Sequence, residues 1–131
     1  MELRPGLKGS AELVVGDEHT APSIGSGKVR VLATPVMINL IEAAALDAIE
    51  RLLPAGYQSL GTHLDVRHIA ATPVGMKVTA KATLLETDGK RFLFAVEAWN
   101  EVEKIAEGRH ERYFTADLNK LLERAMRKGR T

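Results

Sequence analysis

The chain has no cysteine in its 131 residues. Disulfides, thiolate nucleophiles and cysteine-held metals are therefore excluded, and any covalent chemistry must use oxygen or nitrogen. Long apolar runs are missing as well, since none approaches the roughly 20 residues that span a bilayer. The opening Met1-Glu2-Leu3-Arg4-Pro5-Gly6 lacks the basic start and apolar stretch of a secretory signal. A cytoplasmic protein without a membrane partner is expected. Charge of one sign is not in excess either: 18 Lys and Arg face 17 Asp and Glu, a formal net charge of +1. That balance gives no general attraction for nucleic acid. The locally basic tail Arg124-Ala125-Met126-Arg127-Lys128-Gly129-Arg130 suits a helix C-terminus, where cations complement the helix dipole. No nucleic-acid partner is expected.

What is present is an ordinary globular composition, 45% apolar and 27% charged, which sets aside both disorder and a membrane protein. The length suits one domain over residues 1–131. The first thirty residues carry little periodicity beyond a short strand at Ser10 to Val15 and a mobile loop or turn at Ser23-Ile24-Gly25-Ser26-Gly27. A helix start follows: Thr34 can cap with its hydroxyl, and Pro35 suits the first helical position, where its missing N–H is no loss. The helix should run to about Leu53, before Pro54-Ala55-Gly56. Its apolar residues, from Val36 and Met37 to Ala48 and Ile49, cover more than one stripe, as in a helix wrapped by other structure.

From Tyr57 the period changes to two. Leu60, Leu64, Val66, His68 and Ala70 should share one strand face, with Gly61, His63, Asp65 and Arg67 on the other. Met76, Val78, Ala80, Ala82 and Leu84 repeat the pattern after Pro73-Val74-Gly75. Phe92, Phe94, Val96 and Ala98 repeat it again after Asp88-Gly89, a hairpin signal. A fourth strand from about Lys104 to Thr115 alternates less cleanly, and Leu118, Leu121, Leu122, Ala125 and Met126 close the chain at helical spacing. A long buried helix followed by hairpin-linked strands describes an α+β arrangement, an antiparallel sheet with a helix on one face. The hotdog fold is one such arrangement.

Three residues stand out chemically. Glu42 interrupts an apolar helical stretch, where an unpaired carboxylate is costly to bury, so it is either partnered or functional. His68 falls among Leu64 and Val66 on the face expected to meet the helix; it reads as a satisfied structural histidine or as a general base near neutral pH. Thr34 reads as a helix cap, at a position where free N–H groups and the helix dipole can also hold an oxyanion. His19 and His110 have no metal-like spacing to another histidine, and no Walker loop or dinucleotide fingerprint occurs.

Three stretches taken together resemble the fluoroacetyl-CoA thioesterase group of the hotdog superfamily. They are Ala33-Thr34 with Leu40-Ile41-Glu42, Ser59-Leu60-Gly61-Thr62 leading to Val66-Arg67-His68-Ile69-Ala70-Ala71-Thr72-Pro73, and Gly108-Arg109-His110-Glu111-Arg112. The resemblance runs from about Thr34 to Tyr113. It implies a hotdog fold with a sheet wrapped around a long central helix and a C-terminal helix, hydrolysis of an acyl-CoA thioester, and a catalytic set of Thr34, Glu42 and His68, with Glu42 orienting His68. It also implies a substrate contact from Gly61 and a matching arginine at Arg112. No cofactor is implied, because coenzyme A is part of the substrate. The fluoroacetyl-specific member has an aromatic lid shortly before its threonine, whereas Gly25-Ser26-Gly27-Lys28-Val29-Arg30 contains no aromatic residue. A different small acyl group is expected, with Lys28 and Arg30 either meeting the phosphates of coenzyme A or standing as solvated loop cations.

The alternative function is a non-catalytic acyl-CoA-binding hotdog module, and a hydratase lacks its usual Asp and His motif here. Thr34 and Glu42 are eight positions apart (42 − 34), roughly 12 Å along a helix. Either the substrate and His68 span that gap or a second subunit brings its own copy of one residue alongside; the hotdog resemblance, which implies sheets paired edge to edge with sites at the seam, favours a homodimer or a higher homo-oligomer.

Overall fold

The computed structural model describes residues 3–115 and 118–129. Met1 and Glu2 of the opening segment and Arg130 of the basic tail lie outside them. Five strands, β1 (Lys8–Val14), β2 (Gln58–His68), β3 (Lys77–Thr87), β4 (Arg91–Trp99) and β5 (Lys104–Thr115), form one sheet. Their spatial order is β1-β3-β4-β5-β2 and every pairing is antiparallel. The helices are a single turn α1 (Ala21–Ile24), the long α2 (Thr34–Ile49) and α3 (Leu118–Lys128). A long helix on one face of an antiparallel sheet, with a helix at the C-terminus, is the expected α+β arrangement. Among the described residues no helix is long and apolar enough to cross a membrane.

The period-two segments behave as their patterns require. Val78, Ala80, Ala82 and Leu84 of β3, and Phe92, Phe94, Val96 and Ala98 of β4, are all buried against α2, whose Met37, Leu40, Ile41, Ala44, Ala45, Ala48 and Ile49 complete the core. The β3–β4 turn is closed by Asp88, whose Oδ1 accepts the N–H groups of Lys90 and Arg91 at 2.9 and 2.8 Å, beside Gly89 at φ +97°. The small face of α2 lets β1 come close: a Cβ on Gly9 would sit 2.2 Å from the Ala44 carbonyl oxygen. Asp47 of α2 also accepts the Ser10 N–H at 3.0 Å.

Four expectations need correction. The helix ends at Ile49, and residues 50–52 form a 3₁₀ turn before Pro54. Thr34 does not cap the helix: Ala33 is the cap residue, no side chain caps it, and Pro35 takes the second helical position. The loop expected at 23–27 includes the end of α1, one turn closed by Gly25 at φ +78° and too short to show a period. In β2 the register shifts between Gly61 and His63, so the alternation reverses at Thr62. Gly61 therefore faces α2 together with buried Ser59, while Leu60 turns outward and is exposed. α3 has the expected amphipathic spacing, yet Leu122 and Met126 are exposed and no residue of the helix is buried.

The close approach of β1 to α2 predicts that Gly9→Ala lowers the unfolding free energy by about 1–3 kcal/mol, because the added methyl meets backbone that cannot rotate away. Urea denaturation checks this, and an unchanged midpoint would contradict the close approach.

Candidate active site

The start of α2 is fixed by backbone rather than by a cap. The Ala33 N–H donates to the His19 carbonyl at 2.9 Å, Leu32 N–H to Thr72 at 2.9 Å and Ala21 N–H to Val31 at 3.0 Å. These bonds tie the segment before α2 to α1 and to the chain following β2. Thr34, the first helical residue, is thereby brought to His68, the last residue of β2, and Thr34 Oγ1 lies 2.8 Å from His68 Nδ1. Both line an open cleft of about 390 Å³ together with Lys28, Val29, Leu32 and Ile69. The other ring nitrogen, Nε2, is buried without a hydrogen-bond partner. Burial holds the His68 imidazole below its usual pKa, opposed by the Ala70 backbone nearby. A neutral imidazole beside a hydroxyl can accept its proton.

A second polar cluster sits further along α2. Glu42 Oε2 accepts from Arg112 Nη1 at 3.1 Å and lies 4.0 Å from His110 Nε2. Arg112, on β5, is 5% exposed, so its charge has left water and needs several partners. It donates from Nε to Ser59 Oγ at 2.8 Å and from Nη2 to the Ser59 carbonyl at 3.0 Å. Gly61 belongs to this cluster: a Cβ there would lie 2.5 Å from Glu42 Oε2 and 3.2 Å from the His110 ring. The missing side chain is what lets the carboxylate rest against the strand.

Of the expected site residues, the structure joins Thr34 to His68 and, separately, Glu42 to Gly61 and Arg112. No hydrogen bond or ion pair among the described residues connects Glu42 to His68 within the chain, so the expected orienting contact is absent there. The helical separation of Thr34 and Glu42 accounts for this. Lys28 is exposed on the cleft wall. Arg30 instead directs its guanidinium to Asp17, with Nε 2.8 Å from Oδ1.

Sequence reasoning missed His110 and Ser59. His110 is fully buried, with Nδ1 2.9 Å from the His63 carbonyl, Nε2 3.2 Å from Arg112 Nη1 and its ring stacked on Phe94. The available signal was positional. His110 and Arg112 alternate on one strand face, but β5 has too few apolar residues for its inner face to stand out. Among the described residues no group of three or more acidic or histidine side chains is placed to hold a metal.

Burial also lowers the pKa of His110; the His63 carbonyl opposes this and the Arg112 charge adds to it. Both histidines therefore bind protons less readily folded than unfolded. Their contribution to stability is full above the unfolded value of about 6.5 and is lost as pH falls below it toward the folded values. The expected result is that both imidazole NMR signals titrate below about 6.5 and that the urea midpoint drops as pH is lowered through that window. Midpoints above the ordinary imidazole value would overturn this reading.

Residues 15–117 match the family described as fluoroacetyl-CoA-specific thioesterase. A curated fluoroacetyl-CoA thioesterase from Streptantibioticus cattleyicolor is 43% identical over 82 residues, a match covering 63% of this chain and 59% of that relative. The aligned region thus spans less than two thirds of the relative's length. A solved structure of a fluoroacetyl-CoA thioesterase superposes with a TM-score of 0.92 at 32% identity, covering 98% of each chain. A hot-dog-like protein from Thermanaerovibrio acidaminovorans, 20% identical with 96% of this chain and 93% of that one covered, shares the fold with a TM-score of 0.85. The sheet, its long helix and the extent of these matches assign the chain to the hotdog fold and to the fluoroacetyl-CoA-specific thioesterase family.

Proposed function

We propose that the chain is an acyl-CoA thioesterase acting on a small acyl group, with Thr34, Glu42 and His68 as catalytic residues. The observation that carries this reading is the 2.8 Å contact between Thr34 Oγ1 and His68 Nδ1 on a cleft wall, in a member of this family. His68 takes a proton from the attacking oxygen, that of Thr34 or of a water held beside it, as the oxygen adds to the thioester carbonyl. The carbon–sulfur bond then breaks, the proton passes to the departing thiolate, and water supplies the second oxygen of the acid. An acyl group trapped on Thr34 under single turnover marks the threonine as nucleophile, and its absence leaves water or Glu42 as the attacking group. No side chain caps the first turn of α2, so its N–H groups and the positive end of its dipole serve the developing oxyanion.

Gly61 and Arg112 complete the acyl side of the site, Arg112 by holding Glu42. Lys28 on the cleft wall meets the phosphates of coenzyme A, which is substrate and not cofactor, and Arg30 joins it only by leaving Asp17. The protein works in the cytoplasm, without a nucleic-acid partner.

The site is shared between two copies of the chain. β2 is an edge strand, and α2 lies mainly across β1, β3 and β4. Leu64, opposite His110 on the helix side of β2, is left 42% exposed. A second copy set against this edge covers that apolar surface and brings its own Glu42 cluster toward Thr34 and His68.

Glu42→Gln and His68→Ala should each lower turnover at least about 100-fold, in the range of lost acid–base catalysis, while leaving the chain folded. Mixing Thr34→Ala with Glu42→Gln chains under exchange should restore one good site in each mixed dimer. Confirmed exchange without recovered activity rejects the shared site. Binding of acyl-CoAs without thiol release by the unaltered protein rejects hydrolysis and favours a binding module.

The cleft loop lacks aromatic residues from Gly25 to Arg30. Fluoroacetyl-CoA should therefore not be preferred over acetyl-CoA. A large ratio of kcat/KM in favour of the fluorinated substrate would refute this.

A further inference from the structure

His110 is the most completely buried titratable group in the described chain, and the proposed chemistry gives it nothing to do. Its partners nevertheless fix its state. Nδ1 faces a carbonyl oxygen, which can only accept, at 2.9 Å; Nε2 faces a guanidinium nitrogen, which can only donate, at 3.2 Å. One arrangement satisfies both: Nδ1 carries the proton and Nε2 keeps its lone pair. The stacked Phe94 ring, at 6.3 Å between centroids, prevents the imidazole from tilting away.

The consequence falls on Arg112. Its Nη1 is the atom that also donates to Glu42, so the position of that nitrogen sets the direction of the carboxylate. Ser59 holds the opposite edge of the guanidinium through Nε and Nη2. With Ser59 alone the group could pivot about that edge; His110 Nε2 supplies the second point of support.

We propose that His110 is a positioning residue: its Nε2 lone pair fixes Arg112 Nη1, and through it the Glu42 carboxylate, while the His63 carbonyl selects the tautomer that makes this possible. The assignment of Glu42 to catalysis rests on the thioesterase reading, but the contact chain from His63 through His110 and Arg112 to Glu42 does not.

The test uses three substitutions in the full-length protein. His110→Gln places an amide oxygen near the position of Nε2 and keeps an acceptor for Arg112. His110→Asn reaches only the His63 side, and His110→Phe keeps ring bulk without polar atoms. The expected result is kcat within about fivefold of the unaltered protein for Gln and at least about tenfold lower for Asn and Phe, the tenfold step corresponding to about 1.4 kcal/mol of activation free energy. KM for acetyl-CoA should stay unchanged in all three. Equal kcat for Asn and Gln, or full activity of Phe, overturns the proposal.

A second measurement does not need turnover. In nitrogen-15 NMR spectra the Arg112 guanidinium should give separate, slowly exchanging Nη–H signals in the unaltered and Gln proteins, and averaged ones in Asn and Phe. If the unaltered protein hydrolyses no thioester, the thioesterase reading fails and these spectra alone judge His110. Separate signals retained in Phe reject the positioning role even if the activities fall, and unfolded Asn or Phe variants leave the decision to Gln, whose loss of the separate signals also rejects it.

Discussion

The burial of α2 across β1, β3 and β4 is the constraint on which the rest of the molecule depends. A helix covered on more than one face has few positions where a polar side chain can remain without a heavy desolvation cost. Asn39 and Asp47 stand on the exposed face of α2, Thr34 at its exposed N-terminal turn, and Glu42 on the stripe that passes over Ser59 and Gly61 of β2. The two α2 residues of the proposed catalytic set thus occupy positions where the packing of this helix leaves room for a polar side chain. The same packing explains Gly9 and the alanines of α2, which keep the helix close enough to the sheet for its polar residues to reach β2 and β5.

The second constraint is electrostatic. Removing one member of a buried charge pair leaves the other uncompensated, and such losses are large. Arg112 is almost entirely buried, whereas the Glu42 side chain is 34% exposed, so the pair is asymmetric. The arginine is held on the protein side by Ser59 and His110, and the carboxylate remains open to the surroundings on the other. A carboxylate anchored on one oxygen and accessible beyond it can orient a neighbouring group without being consumed as a structural ion pair. Arginine suits the position better than lysine, because its planar fork serves three partners in fixed directions.

Much of the fold was legible in the sequence because strands and helix differ in period, and the turns at Gly75 and Asp88-Gly89 punctuate them. β3 and β4 were the clearest, since both alternate strictly and both are buried on one face. β2 was misread at Leu60 and Gly61 because a single extra residue, Thr62, reverses every face before it, and no composition signal marks such a bulge. Thr34 was singled out from the sequence, with its hydroxyl expected to cap the helix. The helix begins one residue earlier than that, with Ala33 in the cap position, and the Thr34 hydroxyl instead meets His68 Nδ1 at 2.8 Å. His110 was hard to recognise because only Arg112, two residues on, is a local partner: His63, which faces its other nitrogen, lies 47 residues away, and Glu42 lies 70 from Arg112.

The geometry of α2 is the physical ground for the proposed site shared between two copies of the chain. Eight residues of helix advance roughly 12 Å and, at about 100° per residue, rotate about 80° beyond two full turns. Thr34 and Glu42 therefore diverge both along the axis and around it, and their side chains bond to different partners within the chain. A two-fold axis resolves this without altering the helix. In the proposed dimer it would set the N-terminal half of one α2 against the Glu42 stripe of the other, and by symmetry would do so twice. The edge position of β2 makes such an axis accessible, because His68, Leu64 and Gly61 all lie on the strand that has no neighbour beyond it within the chain. Helix pitch and the edge position of β2 are thus the two features of the fold on which the proposed site completed by association rests.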